Sequence, residues 1–232
     1  MPKFIAYHRM PDSGLLPAVV VYGPGIRIWH WLNAVAVVVL AITGYFIGMP
    51  PPSAIGDTST LYVMGWIRFL HLASGYIFAL LAVMRLWLVF VEGGITHQLF
   101  LPAIGRRDWF NGFLSQIRWN FLAGGALRYV GLNPLAAVAM LTMFVIPGAI
   151  IILTGFAMYA EVTGHDSWQY FLFGWVTMLF GNTLDLHVFH RLAMWIMVWF
   201  AMIHIYIALR EDILSRQTVV STMLSGERQF RD

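Results

Sequence analysis

Residues Asp185–Arg210 read DLHVFHRLAMWIMVWFAMIHIYIALR. The stretch stays apolar for longer than the roughly 20 helical residues that cross a hydrocarbon layer. Two of the three histidines inside it, His190 and His204, stand fourteen positions apart. At 100° per residue, fourteen steps turn roughly 1400°, about 40° short of four full turns, so both imidazoles leave the helix on nearly one face. Along the axis they are separated by about 21 Å. A hydrocarbon core about 30 Å thick therefore receives one ring towards each of its sides.

The rest of the composition agrees with a membrane setting. Of 232 residues, 59% are hydrophobic and 11% charged, where a soluble domain carries about 25% charged residues. The length suits a single domain, residues 1–232. There is no cysteine. That excludes a protein-ligated iron–sulfur cluster, a disulfide and the C-x-x-C-H attachment of c-type haem. The opening MPKFIAYHRMPDSG has neither an apolar core nor a small-residue cleavage site, so it does not read as a secretory signal.

A polar tail over residues 1–25 ends in the turn signal Tyr22-Gly23-Pro24-Gly25. Four apolar runs follow, at about 26–48, 66–91, 134–160 and 186–209, each long enough to span. In the third, Asn133 suits an N-cap and Pro134 the first helical position, while Pro147-Gly148 should kink the helix midway. The expected fold class is all-α: an integral membrane four-helix bundle. Basic residues sort by loop. The N-terminal segment through Arg27 holds Lys3, Arg9 and Arg27; Arg106, Arg107, Arg118 and Arg128 follow the second run; Arg210, Arg216, Arg228 and Arg231 follow the fourth. Loops 49–65 and 161–185 hold no Lys or Arg but carry Asp57, Glu161, Asp166 and Asp185. The positive-inside rule places both termini and loop 92–133 in the cytoplasm. Two amphipathic stretches, 107–130 and 166–181, suit helices lying in the inner and outer interfaces.

Polar side chains inside spans are costly and mark functional sites by default. His8, His97 and His165 lie in tails or loops and read as solvated. His30, early in an outward-going helix, and His204, late in an inward-going one, share a level near the cytoplasm. His71 and His190 share a level near the outside. Two imidazoles facing each other at one depth can clamp one haem iron, and the core between facing helices is the expected place for such a group. The pattern therefore predicts two non-covalently held haem b groups, one on His30–His204 and one on His71–His190. The alternative for each histidine alone is a hydrogen bond to a neighbouring helix. His187 points elsewhere on its helix and is placed at the outer surface.

Haem propionates are anionic. Arg27 and Arg68 each precede a candidate ligand by three residues on the same helical face. Arg191 adjoins His190, and Arg85 follows His71 by fourteen. These four are candidate propionate donors, with snorkelling to headgroups as the alternative. Gly44 and Gly75 would give a flat macrocycle room between helices, or would serve ordinary helix packing.

Arg27-x-x-His30-Trp31, Arg68-Phe-Leu-His71 with Gly75 and Met84-Arg85, Thr154-Gly155-Phe156, and His190-Arg191 through His204 together resemble the cytochrome b subunit of membrane-bound nickel–iron uptake hydrogenases. The runs at 44–51 and 129–134 extend the resemblance over essentially the whole chain. That family is related to the cytochrome b (gamma) subunit of formate dehydrogenase. The resemblance implies a diheme cytochrome b in the bacterial inner membrane, with the two histidine pairs given above. It implies a hydrogenase docked outside, whose small subunit passes electrons from its iron–sulfur chain and packs its own C-terminal membrane helix against the cytochrome, with the large subunit beyond. It implies quinone reduction near the inner haem, with Tyr129, Asn133 and Arg128 as candidate contacts.

The expected function is thus a membrane electron carrier between a hydrogenase and quinone. The chain is not a hydrogenase by itself, having no cysteine to ligate nickel, iron or a cluster. No partnership with nucleic acid is expected. A formate dehydrogenase cytochrome is the nearest alternative. A histidine-relay transporter would usually need intramembrane carboxylates, and Glu92 and Asp185 lie only at the ends of the predicted spans.

Overall fold

A computed structural model of the chain describes residues 16–52, 62–92, 96–100, 107–121, 125, 129, 131–216 and 218–230. Lys3, His8, Arg9, Asp57, Arg106, Arg128, Arg231 and the His97 side chain lie outside the described residues. The chain is predominantly helical, and among the described residues four helices are long and apolar enough to cross a membrane; it is a multi-pass membrane protein. The first two are α1 (Pro24–Gly48) and α2 (Val63–Glu92). After the amphipathic α3 (Arg107–Asn120) comes the third, Pro134–Thr163, built from α4 (Pro134–Met140), a π-helical turn (Leu141–Val145) and α5 (Ile146–Thr163). Then α6 (Trp168–Phe180) leads into the fourth, α7 (Thr183–Ser215).

Local chemistry explains these boundaries. Asn133 caps α4, its Oδ1 accepting from the Ala136 N–H at 2.7 Å, and Pro134 takes the first helical position. The π-turn ends two residues before Pro147. A proline there has no N–H for the Met143 carbonyl, and its ring clashes with that carbonyl in a regular α-helix. Widening the preceding turn absorbs the conflict. Ser167 caps α6 and Gly181 closes it in the left-handed conformation, at φ +70°. The sequence reading set the last span at 186–209, but α7 runs on through Glu211 and Asp212 to Ser215, all tolerable helix formers. Of the stretch predicted over 107–130, Arg107–Asn120 form the helix α3.

Two compact units account for the chain. One holds the described parts of residues 1–27, 87–150 and 195–232. Within it β1 (Leu16–Val20) pairs antiparallel with β2 (Glu227–Phe230), in register Val19 to Arg228 and Val20 to Glu227, with an irregularity between Leu16 and Val19. The short α8 (Val219–Ser225) precedes β2. This ribbon joins two segments that the sequence reading left as tails. Arg210 donates to the carbonyls of Trp119 at 3.0 Å and Asn120 at 3.3 Å, satisfying the open C-terminal end of α3. The Trp119 indole N–H in turn donates to Glu211 at 2.8 Å.

The second unit holds residues 28–86 and 151–194. Its core is Ala157 on α5, Val176 on α6 and Leu186 on α7, flanked by Leu153, Phe173 and Phe180. Phe156 stacks on Phe173 at 4.8 Å, and buried Gln169 donates to the Tyr76 hydroxyl at 3.3 Å, tying α6 to α2. Ala157 is wholly buried where three helices meet. Ala157→Leu should therefore overpack the junction and destabilise the protein by about 1–3 kcal/mol, seen as a lowered Tm in detergent.

Candidate functional site

Four histidines drew attention in the sequence, and two of them meet within the second unit. His71 on α2 and His190 on α7 face each other with ring centroids 6.4 Å apart and planes inclined at 69°. Both are partly buried. Each ring is held from behind by a threonine. Thr43 Oγ1 on α1 lies 2.9 Å from His71 Nδ1, and Thr154 Oγ1 on α5 lies 2.8 Å from His190 Nδ1. Each threonine is followed by a glycine against the same ring. A Cβ on Gly44 would stand 3.1 Å from His71 Cε1, and one on Gly155 would stand 3.3 Å from His190 Cε1. Either is tighter than an ordinary contact, so a side chain there presses the imidazole out of place.

This geometry suits a metal held from both sides. Two in-line metal–imidazole bonds of about 2 Å each, with the half-widths of the rings added, put the centroids about 6 Å apart. Among the described residues no group of three or more His, Cys, Asp or Glu side chains converges. Two imidazoles alone fit a metal that brings its own equatorial ligands, which is how a haem iron is bound. Gly75, one turn after His71, is partly buried and a Cβ there would meet nothing within 4 Å. The residues present therefore fit a haem.

The other candidates fall as follows. His30 belongs to the second unit, partly buried and edge-on to Trp31 at 5.2 Å. His204 belongs to the first unit, stacked on Phe200 at 5.4 Å, with Phe144 beyond it. His187 is exposed on α7, its Nδ1–H donating to the Thr183 carbonyl at 2.8 Å. His165 is exposed and stacks on Tyr170 at 4.2 Å. Arg68 and Arg191 are exposed, and a Cβ on Gly48 would touch the Arg191 guanidinium at 3.4 Å. Arg85 is buried, its guanidinium 5.3 Å from the centre of the Trp29 ring. Trp29 is itself fixed by a 2.8 Å bond from its indole N–H to the Leu81 carbonyl. Arg27 already has a partner, donating to the Leu224 carbonyl.

In the first unit, Tyr129 and Asn133 lie on one pinned segment. Arg228 is buried and donates to the Tyr129 carbonyl at 2.8 Å and towards the Gly131 carbonyl at 3.5 Å. Burial lowers the pKa of this guanidinium, while Tyr22, Glu211 and Asp212 act to raise it. Gln98 accepts from the Leu132 N–H at 3.2 Å. A Cβ on Gly112 would stand 3.0 Å from the Tyr129 hydroxyl. Asn133 spends its Oδ1 on the helix cap.

A model of the prokaryotic cytochrome b561 family matches residues 21–226, nearly the whole chain. The chain belongs to that family. Among its relatives is a probable Ni/Fe-hydrogenase B-type cytochrome subunit of Bradyrhizobium diazoefficiens, 48% identical over 93% of this chain and 88% of that protein. The counterpart in Azotobacter vinelandii is 45% identical over 93% of this chain and 90% of its own length. A probable Ni/Fe-hydrogenase 1 B-type cytochrome subunit of Escherichia coli K12 is 40% identical over 91% of both chains. A family of b-type cytochromes identifies the group that the facing imidazoles suit as haem b.

The sequence reading did not single out Thr43 or Thr154 as partners of the imidazoles. The signal was present, since a polar residue inside an apolar span is a functional candidate whether or not it can titrate. Gly44→Val and Gly155→Val should each displace the neighbouring imidazole and weaken haem binding at that pair about tenfold or more. Gly75→Ala, which puts a methyl into the open space read as room for the haem, should lower haem content at that pair less than either valine variant. Haem content per purified chain, by pyridine haemochrome, checks both.

Proposed function

We propose that the chain is the membrane-embedded b-type cytochrome of a nickel–iron hydrogenase complex, carrying electrons across the bacterial inner membrane to quinone on two haem b groups. The observation that carries this reading is the close approach of the His71 and His190 rings, 6.4 Å between centroids, in a member of this family. The printed names of the relatives supply the hydrogenase. Bound haem supplies a one-electron carrier inside a medium that conducts poorly.

The chain's own residues give that group a place and a charge environment. His71 and His190 hold the outer haem. His30 and His204 hold the inner one, on the argument from depth and helical face. Arg68 and Arg191 are the cations at the outer level and serve propionate carboxylates there. Buried Arg85 and the partnered Arg27 are the corresponding cations for the inner haem. The sorting of basic loops supports cytoplasmic termini and a cytoplasmic 92–133 loop, with α3 in the inner interface and α6 in the outer one. The face carrying α6 and the start of α7 would then meet the hydrogenase small subunit and its membrane helix, with the large subunit beyond. Quinone would be reduced on the cytoplasmic side, near the segment holding Tyr129 and Asn133. There the Arg228 bonds fix the backbone, and the Asn133 amide is the donor side of a side chain whose oxygen is engaged.

Purified protein should contain two haem b per chain by pyridine haemochrome. His71→Ala and His190→Ala should each lose the same haem, leaving one per chain, and His30→Ala and His204→Ala should each lose the other. Hydrogen-dependent quinone reduction by the assembled complex should fall by orders of magnitude in all four. A His71→Ala protein that keeps both haems would show that the pairing is wrong.

A further inference from the structure

Thr-Gly dipeptides inside two spans, Thr43-Gly44 on α1 and Thr154-Gly155 on α5, each stand behind one imidazole of the facing pair. A hydroxyl can donate one hydrogen bond and accept others. Thr43 Oγ1 donates to the Val39 carbonyl of its own helix at 2.6 Å. Thr154 Oγ1 is directed to the Ile151 carbonyl at 3.4 Å. With the hydroxyl proton turned into the helix backbone, the oxygen lone pairs face the ring, so the short contact to the histidine is Nδ1–H donating to Oγ1. A neutral imidazole carries one N–H, and placing it on Nδ1 leaves the Nε2 lone pair for a ligand. The glycine next in sequence lets the Cε1 edge of the ring lie against the helix.

The geometry points to Thr43 and Thr154 as positioning residues for the outer haem. Each fixes the tautomer and rotation of one axial imidazole, so that Nε2 is presented to the iron, and each lowers the haem potential by making that imidazole a stronger donor. This rests on the haem reading above. An acceptor behind a metal-bound imidazole raises its basicity, and losing such a partner typically costs 10–100-fold in metal affinity or activity. Stronger donation stabilises the oxidised, more positive iron, so losing the bond should favour reduction. The two positions are not equivalent. The Leu40 carbonyl is a further hydrogen-bond partner of the His71 ring, so Thr43 has a backbone substitute and Thr154 should matter more.

The test uses Thr43→Val, Thr154→Val and the double variant, with Thr43→Ser and Thr154→Ser as controls that keep the hydroxyl. Redox titration and EPR are run on the purified cytochrome. Thr154→Val should raise the midpoint potential of one haem by about 59 mV, a tenfold change in its reduction equilibrium, and shift its low-spin EPR signal. Thr43→Val should move the same haem less, and the other haem should not move. The serine variants should match the wild type. Valine variants that lose one haem while the serine variants keep it also support the role. Unchanged potentials and EPR in haem-loaded valine variants would overturn it while leaving the haem reading intact. Equal loss in valine and serine variants would overturn it too, since the hydroxyl would not be the cause. A wild-type protein with no haem would sink the underlying reading and this inference with it.

Discussion

An imidazole placed between apolar helices has two nitrogens to satisfy and no water to do it with. The His71–His190 arrangement answers this with a threonine hydroxyl behind each ring, each supplied by a helix other than the one that carries the histidine. Four spanning elements are thereby committed to one small volume: α1 and α2 through Thr43 and His71, α5 and α7 through Thr154 and His190. The glycine beside each threonine follows from the same requirement, because a hydroxyl can reach a ring in the next helix only where the two backbones come close. The rest of the second unit, down to the Ala157, Val176 and Leu186 core, keeps those helices at that spacing.

Much of this was legible in the chain as a string of letters. Spans of about 20 apolar residues can hardly be mistaken, and the observed helices differ from the predicted ones by a few residues at their ends. The expectation that His71 and His190 share a level needed only the direction of each span, and the rings do face each other. The Asn133-Pro134 start of α4 and the disturbance at Pro147 were also readable, because caps and prolines act within one turn. What stayed hidden depends on distant neighbours. Thr43 and Thr154 look like ordinary small polar residues until the opposite helix is in place. Leu16–Val20 shows no strand signal strong enough to name its partner some two hundred positions on, since pairing over such a separation is decided by tertiary context rather than propensity. Arg27 was read as a tail cation and candidate propionate donor and Arg228 as a tail cation; that both donate to backbone carbonyls depends on neighbours far along the chain.

The polar interior is handled differently in the two units. In the second, side chains satisfy side chains across helices. In the first, arginines satisfy backbone: Arg210 the end of α3, Arg228 the Tyr129 and Gly131 carbonyls, Arg27 the end of α8. Guanidinium suits that task because its several fixed donors can serve carbonyls that no helix or strand has claimed. The irregular backbone of the first unit, from Gly131 to the Asn133 cap, is held in place by these contacts rather than by regular structure.

The ribbon of β1 and β2 carries a consequence for the order in which the molecule is made. Val20 pairs with Glu227, and every apolar span lies between them. When β1 leaves the ribosome its partner strand does not yet exist, and it stays unpaired while four helices are inserted into the bilayer. Only when the segment around Arg228 has been synthesised can the strand edge be covered and the Tyr129–Gly131 carbonyls meet their donor. Leu16–Val20 are thus among the last residues to be fixed, and a nascent chain stalled within α7 would present an open strand edge to any other extended segment nearby.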